Sequence, residues 1–391
     1  MNMAPRETLT SRERVVRTLN RQPVDRYPID LGSHFSTGIS AFAYWRLRAH
    51  LGLALDDIWV PDVVQMLAHV DGDILERFHC DCVLLWPRWS AEQRWQPYDA
   101  YRFAMPAAMP MQRQPDGGWQ VRQGRRQMRM PARGHFFDGE WISDWRTEPP
   151  EEVLAATARE AERIFKETPY ASNYMGYGAY FEGIEGAVQM LLAPDEVRVR
   201  HEAQLQANLA HVARVIEAMR QYIQLITINA DMGLQTGPMC RPSLLAELTM
   251  PYIARFCDFV HRHSDCKVFL HCCGSIRPLI GMLAEAGVDA LNPVQISADN
   301  MDAADLKRDH GHRIVFWGGG CDTQRVLGVG TPDDVRANVR ALVGALKPGG
   351  GFVFCQVHNV LGDVPPENIV TMLDTAYAES WYAAPAAGPT G

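Results

Sequence analysis

The sequence predicts an α/β chain folded as a single (β/α)8 TIM barrel, with an N-terminal helical extension and a β-hairpin insertion. Three observations lead there. From Gly32 onward, short apolar runs alternate with longer amphipathic segments. Counting a first short run at Tyr27–Leu31, the strand-like runs number about eight. One stretch, 87–145, breaks the rhythm and reads as an excursion from the mouth of the barrel. An open doubly wound sheet would write a similar string, so periodicity leaves both architectures open. No Gly-x-Gly-x-x-Gly follows the first strand, which weakens a dinucleotide-binding sheet.

The elements follow in order. Thr10-Ser-Arg-Glu13 has the form of a capping box and opens a helix through about Asn20. Pro23 and Pro28 bracket a loop before the first strand. Further strands are predicted at Cys82–Trp86, Ser172–Tyr177, Leu225–Ala230, Lys267–Cys272, Ala290–Val294, Ile314–Trp317 and Gly351–Cys355. Between them lie helical patterns at Pro150–Lys166, Pro194–Tyr222, Ser243–His263, Ser275–Ala286 and Thr331–Leu346. The insertion is rich in Trp, Arg, Gln, Met and Pro, with a turn signal at Pro115-Asp-Gly-Gly118. Its basic run Arg122–Arg133 reads as a solvated face. Residues 1–382 are read as one domain, and the Pro/Ala/Gly-rich 383–391 as a disordered tail.

Composition narrows the class. The 391 residues are 47% hydrophobic and 21% charged, enough to bury a large core. A formal net charge of −8 argues against a nucleic-acid or membrane-surface protein. No apolar stretch approaches a membrane span, and the polar start does not read as a signal peptide, so a cytoplasmic location is expected. Nine cysteines are too sparse for a disulfide scaffold and fit ligands, nucleophiles or buried apolar residues better.

The most informative segment is Lys267-Val-Phe-Leu-His-Cys-Cys-Gly274. Strand side chains alternate faces, so His271 and Cys273 share a direction and Cys272 takes the other. At the C-terminal end of a barrel strand that direction is the mouth, where active sites of this architecture sit. An imidazole and a thiolate two residues apart suit zinc, but a third ligand must come from another strand. Cys355, ending Gly-Phe-Val-Phe, and Cys321, ending Trp-Gly-Gly-Gly, are the two candidates.

Beyond local chemistry, the chain resembles the uroporphyrinogen decarboxylase superfamily, and within it the zinc-dependent cobamide methyltransferase branch. The resemblance is carried by Arg12-Glu-Arg-Val-Val-Arg-Thr-Leu-Asn-Arg-Gln-Pro-Val-Asp-Arg-Tyr-Pro28 and by Asp231-Met-Gly-Leu-Gln-Thr-Gly-Pro238. His271-Cys-Cys-Gly274, Asn292-Pro-Val-Gln295, Gly318-Gly-Gly-Cys-Asp322 and Pro365-Pro-Glu-Asn-Ile369 follow in the same order, so it spans about residues 11–380. It implies the barrel, and a zinc held by His271, Cys273 and Cys355, with Cys321 falling too early. The decarboxylases' paired N-terminal arginines and Phe-Ser-Asp segment have no counterpart here, which puts porphyrinogen decarboxylation in doubt.

Three protein ligands would leave one position open for catalysis. The expected activity is therefore methyl transfer between a small molecule (a thiol, ether or amine) and a corrinoid. No Asp-x-His-x-x-Gly cobalamin signature occurs in the chain, so the corrinoid would arrive on a separate protein. Asp231 and His358 are the expected catalytic groups, with His358 also a possible fourth ligand. His34, Glu182, Asn292 and Gln295 are the expected substrate contacts. Two other readings stand beside this one: a decarboxylation or zinc-assisted lyase step, and a non-catalytic corrinoid- or metal-binding module.

Overall fold

The computed structural model describes residues 7–86, 92–98, 100–140, 142 and 150–382. The expected tail at 383–391 and parts of the insertion lie outside the described residues.

Seven parallel strands form one curved sheet: Cys82–Leu85, Ala171–Gly178, Leu225–Asn229, Lys267–His271, Ala290–Asn292, Val315–Trp317 and Phe352–Val353, adjacent in chain order. The eighth position is filled by the segment predicted as the first strand. Phe354 N donates to Pro28 O, and Asp30 N to Phe354 O, each at 2.8 Å. Across the gap, Asp81 N donates to Ile29 O at 2.7 Å, which closes the ring. The closed barrel replaces the doubly wound alternative.

Period-two alternation then sorts the side chains. Leu225, Phe269, Ala290, Val315, Trp317, Val353 and Cys355 pack together in the barrel interior. Ile226, Ile228, Val268, Leu270, Leu291, Phe316 and Phe352 face the helices. Val15 and Leu19 of the helix Ser11–Leu19 join the interior cluster, so this helix plugs the barrel floor. Its start is the expected capping box between Thr10 and Glu13. The segment around it folds over a buried charge network: Asp81 accepts from Arg14 Nη1 at 2.6 Å and Arg26 Nη1 at 2.7 Å. All three side chains are essentially without solvent contact.

The helices depart from expectation in places, and Ala41–His50, Gly72–Arg77, Ala303–His310 and Pro366–Ala378 add to the expected set. Ser243–His263 is not one helix but two, Pro242–Leu248 and Met250–His263, joined at Thr249. Pro251 has no N–H to continue the first ladder, so the second helix starts afresh around it. A helix at Gly183–Leu192, not predicted, precedes Pro194–Met219. The insertion is also more than a hairpin. Phe103–Pro106 lies between two strands, pairing antiparallel with Glu92–Trp95 and parallel with Ile58–Trp59, the latter outside the expected insertion. A separate four-stranded sheet runs from Gln112 to Gly139, with the turn predicted at Pro115–Gly118 closed by Gln114 N to Gly118 O at 2.8 Å. No described helix is long and apolar enough to cross a membrane.

Candidate metal centre at the barrel mouth

Inward positions nearest the C-terminal strand ends are polar: Asn229, His271 and Asn292. Asn229 and His271 floor a cavity of about 660 Å³ lined by His34, Asp62, Trp86, Tyr177, Asp231 and His358 among others, with Asn292 beneath it. That volume is ordinary for a small-molecule site.

Hydrogen bonding fixes how His271 is presented. Asn292 donates its amide Nδ2 to Trp317 O at 3.0 Å, so its Oδ1 must face the other way. That oxygen lies 3.0 Å from His271 Nδ1 and accepts the Ser36 hydroxyl at 2.6 Å. An amide oxygen only accepts, so Nδ1 carries a proton and Nε2 is the ring nitrogen presented to a metal. His271 Nε2 points at Cys273 Sγ, 3.4 Å away, and lies 3.6 Å from Asp231 Oδ1.

The same logic assigns His34. Ser36 N donates to its Nδ1 at 3.0 Å, so Nε2 donates to Asn229 Oδ1 at 3.0 Å. His34 stacks on His271 with ring centroids 5.2 Å apart. Burial first, then the neighbouring His271, pushes the His34 pKa well below its ordinary value. His34 is thus a neutral wall of the cavity.

Two loops set the remaining geometry. A Cβ on Gly274 would sit 2.4 Å from the backbone of Gly233, and one on Gly233 would sit 2.5 Å from Cys273 O. Only glycine allows this approach, and Gly274 also takes φ +92°. The two loops therefore lock backbone to backbone, and Asp231 Oδ1 accepts the Cys273 N–H at 2.9 Å.

His271, Cys273 and His358 bring their ligand atoms within 4.8 Å of one another. A tetrahedral ion with bonds of about 2.0–2.3 Å holds its ligand atoms roughly 3.3–3.8 Å apart, so a small contraction would seat one. Burial, reinforced by His271, lowers the His358 pKa to about 4, leaving a neutral imidazole near pH 7. Burial raises the Cys273 thiol, with Asp231 adding to it, so without a cation this sulfur keeps its proton. The donor set fits zinc: nitrogen and sulfur, one of them an imidazole nitrogen oriented by an outer amide.

The third residue gathered here is His358, whereas the resemblance pointed to Cys355. Cys355 is fully buried in the barrel interior, its Sγ 3.8 Å from the Asn292 amide nitrogen, whose oxygen faces His271. The Asn292 amide thus separates the two. Cys321 packs in the apolar layer facing the helices and is also outside the group.

The other expected contacts divide. His34 lines the cavity. Asn292 lies beneath it as the orienting group for His271. Glu182 does not line the cavity: it sits at the start of the helix Gly183–Leu192 and pairs with Arg200 at 3.3 Å. Gln295 is not a lining residue either; its Oε1 accepts Gly274 N at 2.8 Å and holds the cysteine loop. Ser36, Asn229, Tyr177 and Trp86 were not anticipated. For Asn229 a signal existed, an inward polar position ending Leu225-Ile-Thr-Ile-Asn229 beside Asp231.

Barrel and cluster together define a (β/α)8 protein with metal-ligand chemistry at its C-terminal mouth. More narrowly, the uroporphyrinogen decarboxylase (URO-D) family model matches residues 171–378, over half the chain, and the chain belongs to that family. The matched region contains His271, Cys273, Cys355 and His358. Among solved structures, a methyltransferase from Methanosarcina mazei is similar at a TM-score of 0.56 and 13% identity, covering 95% of this chain and 99% of its own. At that identity the likeness concerns the fold. A dihydropteroate synthase from Xanthomonas albilineans aligns at a TM-score of 0.27 and 12% identity over 39% of this chain and 52% of its own, too little to argue from. No curated protein matches the chain.

Proposed function

We propose that this protein is a zinc-dependent methyltransferase that moves a methyl group between a small molecule and a corrinoid carried on a separate protein. The observation that carries the reading is the Nε2 of His271, held beside Cys273 and His358 over an open cavity at the barrel mouth. The full-length likeness of fold to a Methanosarcina mazei methyltransferase supports it.

His271, Cys273 and His358 would hold the ion. When bound, zinc would supply Lewis acidity to the sulfur, oxygen or nitrogen that bears or receives the methyl group. Asn292 keeps the His271 proton on Nδ1. Asp231 holds the Cys273 backbone and puts a carboxylate at the cavity wall, where it can take or return a proton. His34 and Tyr177 wall the cavity. The described lining contains no Lys or Arg, which speaks against a polycarboxylated tetrapyrrole as substrate.

Metal analysis coupled to methyl transfer tests this. Purified protein should carry about one zinc per chain. His271→Ala and Cys273→Ala should lose both the zinc and methyl exchange with a methylcobamide. Zinc-free protein whose activity survives those substitutions would overturn the reading.

A further inference from the structure

We propose that the small molecule is an uncharged methyl donor with an apolar body, of the aryl methyl ether class, whose ring lies in a second cavity adjoining the first. This rests on the methyl-transfer reading above. The second cavity, of about 540 Å³, shares His358 and Gln65 with the first, so the two adjoin at these side chains. One wall comes from the insertion, through Met128, Phe136 and Phe137; the other comes from Val64, Leu67 and Leu361. Folding leaves Phe136 56% and Leu361 54% exposed on these walls, large apolar side chains that an occupant would cover.

Charge decides against the alternatives. The described lining of both cavities contains no Lys or Arg, while Asp62, Asp231, Asp138 and Asp363 all face it. Arg46, behind the second wall, directs its guanidinium to the carbonyls of Gly362 and Val364. A sulfonate- or carboxylate-bearing tail in the second cavity would meet Asp138 and Asp363, with no Lys or Arg in the described lining to balance it. A small alkylammonium would satisfy the carboxylates but leave the second cavity empty. An aryl methyl ether matches both halves: its oxygen suits the polar cluster and its ring suits the Phe136 side. In the transfer, the O–CH3 bond breaks and the methyl group bonds to the electron pair of the partner's reduced corrinoid cobalt. The oxygen keeps the other pair as a phenolate, which takes up a proton.

Calorimetric titration of the full, zinc-loaded chain tests this with 2-methoxyphenol, 2-mercaptoethanesulfonate and trimethylamine as probes. Saturable binding is expected for 2-methoxyphenol and not for the other two. Phe136→Asp and Leu361→Asp, both at exposed positions, should each weaken it about tenfold while zinc content holds. Preferred binding of the sulfonate or the amine, or 2-methoxyphenol binding that ignores both substitutions, would overturn the assignment. Expected binding without methyl transfer to reduced corrinoid would sink the transferase reading and leave the cavity assignment standing. Methyl transfer from an anionic donor would do the reverse.

Discussion

Asn292→Ala is the sharpest perturbation of the site, because one buried amide orients the imidazole without touching the metal position. Its oxygen serves His271 Nδ1 at 3.0 Å and Ser36 at 2.6 Å, and its nitrogen serves Trp317 O at 3.0 Å. Truncation strands His271 Nδ1–H and Trp317 O, at about 1 kcal/mol or more each, while the Ser36 hydroxyl can turn to His34 Nδ1 at 2.6 Å, so a stability loss of about 2 kcal/mol is expected. Losing the outer partner of a ligating histidine typically lowers metal affinity about 10–100-fold. Both numbers can be read on the same preparation, the first by urea denaturation and the second by competition with a chromophoric zinc chelator under native conditions. Asn292→Asp separates the two effects. Its carboxylate still accepts from His271 Nδ1, but nothing donates to Trp317 O. Zinc affinity should recover while stability stays low. Wild-type zinc affinity in the alanine variant would refute the orienting role and leave Asn292 a purely structural residue.

Other expectations concern separate parts of the molecule. Cys355→Ala should retain zinc whereas His358→Ala should lose affinity, read by metal analysis after dialysis; the opposite result would return the third ligand to Cys355. Asp81→Ala leaves the buried guanidiniums of Arg14 and Arg26 without their shared carboxylate, and should cost about 3–5 kcal/mol by thermal or urea denaturation. Burial raises the Asp30 pKa to about 6 against the hydrogen bonds from Ser33 and Trp317. Folding therefore takes up a proton between the ordinary carboxyl range and pH 6, and stability falls as pH rises through that window. Asp30→Asn should remove this loss, on the order of 3 kcal/mol, so its advantage over the wild type should grow from pH 4 to pH 7; a pH-independent difference would contradict the assignment. Glu182→Ala should leave zinc content and methyl transfer unchanged, since its carboxylate pairs with Arg200 outside the cavity.

How much of this was legible beforehand follows from the range of the interactions. Alternation along Lys267–His271 is a property of the local backbone, and it correctly sends Phe269 and His271 inward and Cys272 toward the helices. The Thr10–Glu13 capping box and the 114–118 turn are equally local, closed by groups three or four residues apart. The break at Thr249 was also written in the sequence, in Pro251, but the amphipathic pattern continues through it and conceals it. The extra pairing of Phe103–Pro106 with Ile58–Trp59 was not legible, because nothing in either run names a partner about 45 residues away.

The sequence by itself therefore determined the strand-helix rhythm, the shared face of His271 and Cys273, and the glycines that allow their loop. Only the tertiary structure decided what joins them. Cys355 lies on the inward face of its strand end, so packing holds it in the interior behind Asn292. Three residues further on, the chain has left the ladder and rises to the mouth, where His358 meets the pair. The identity of the third partner depends on how eight strand ends converge, a quantity set by barrel closure and not by spacing along the chain.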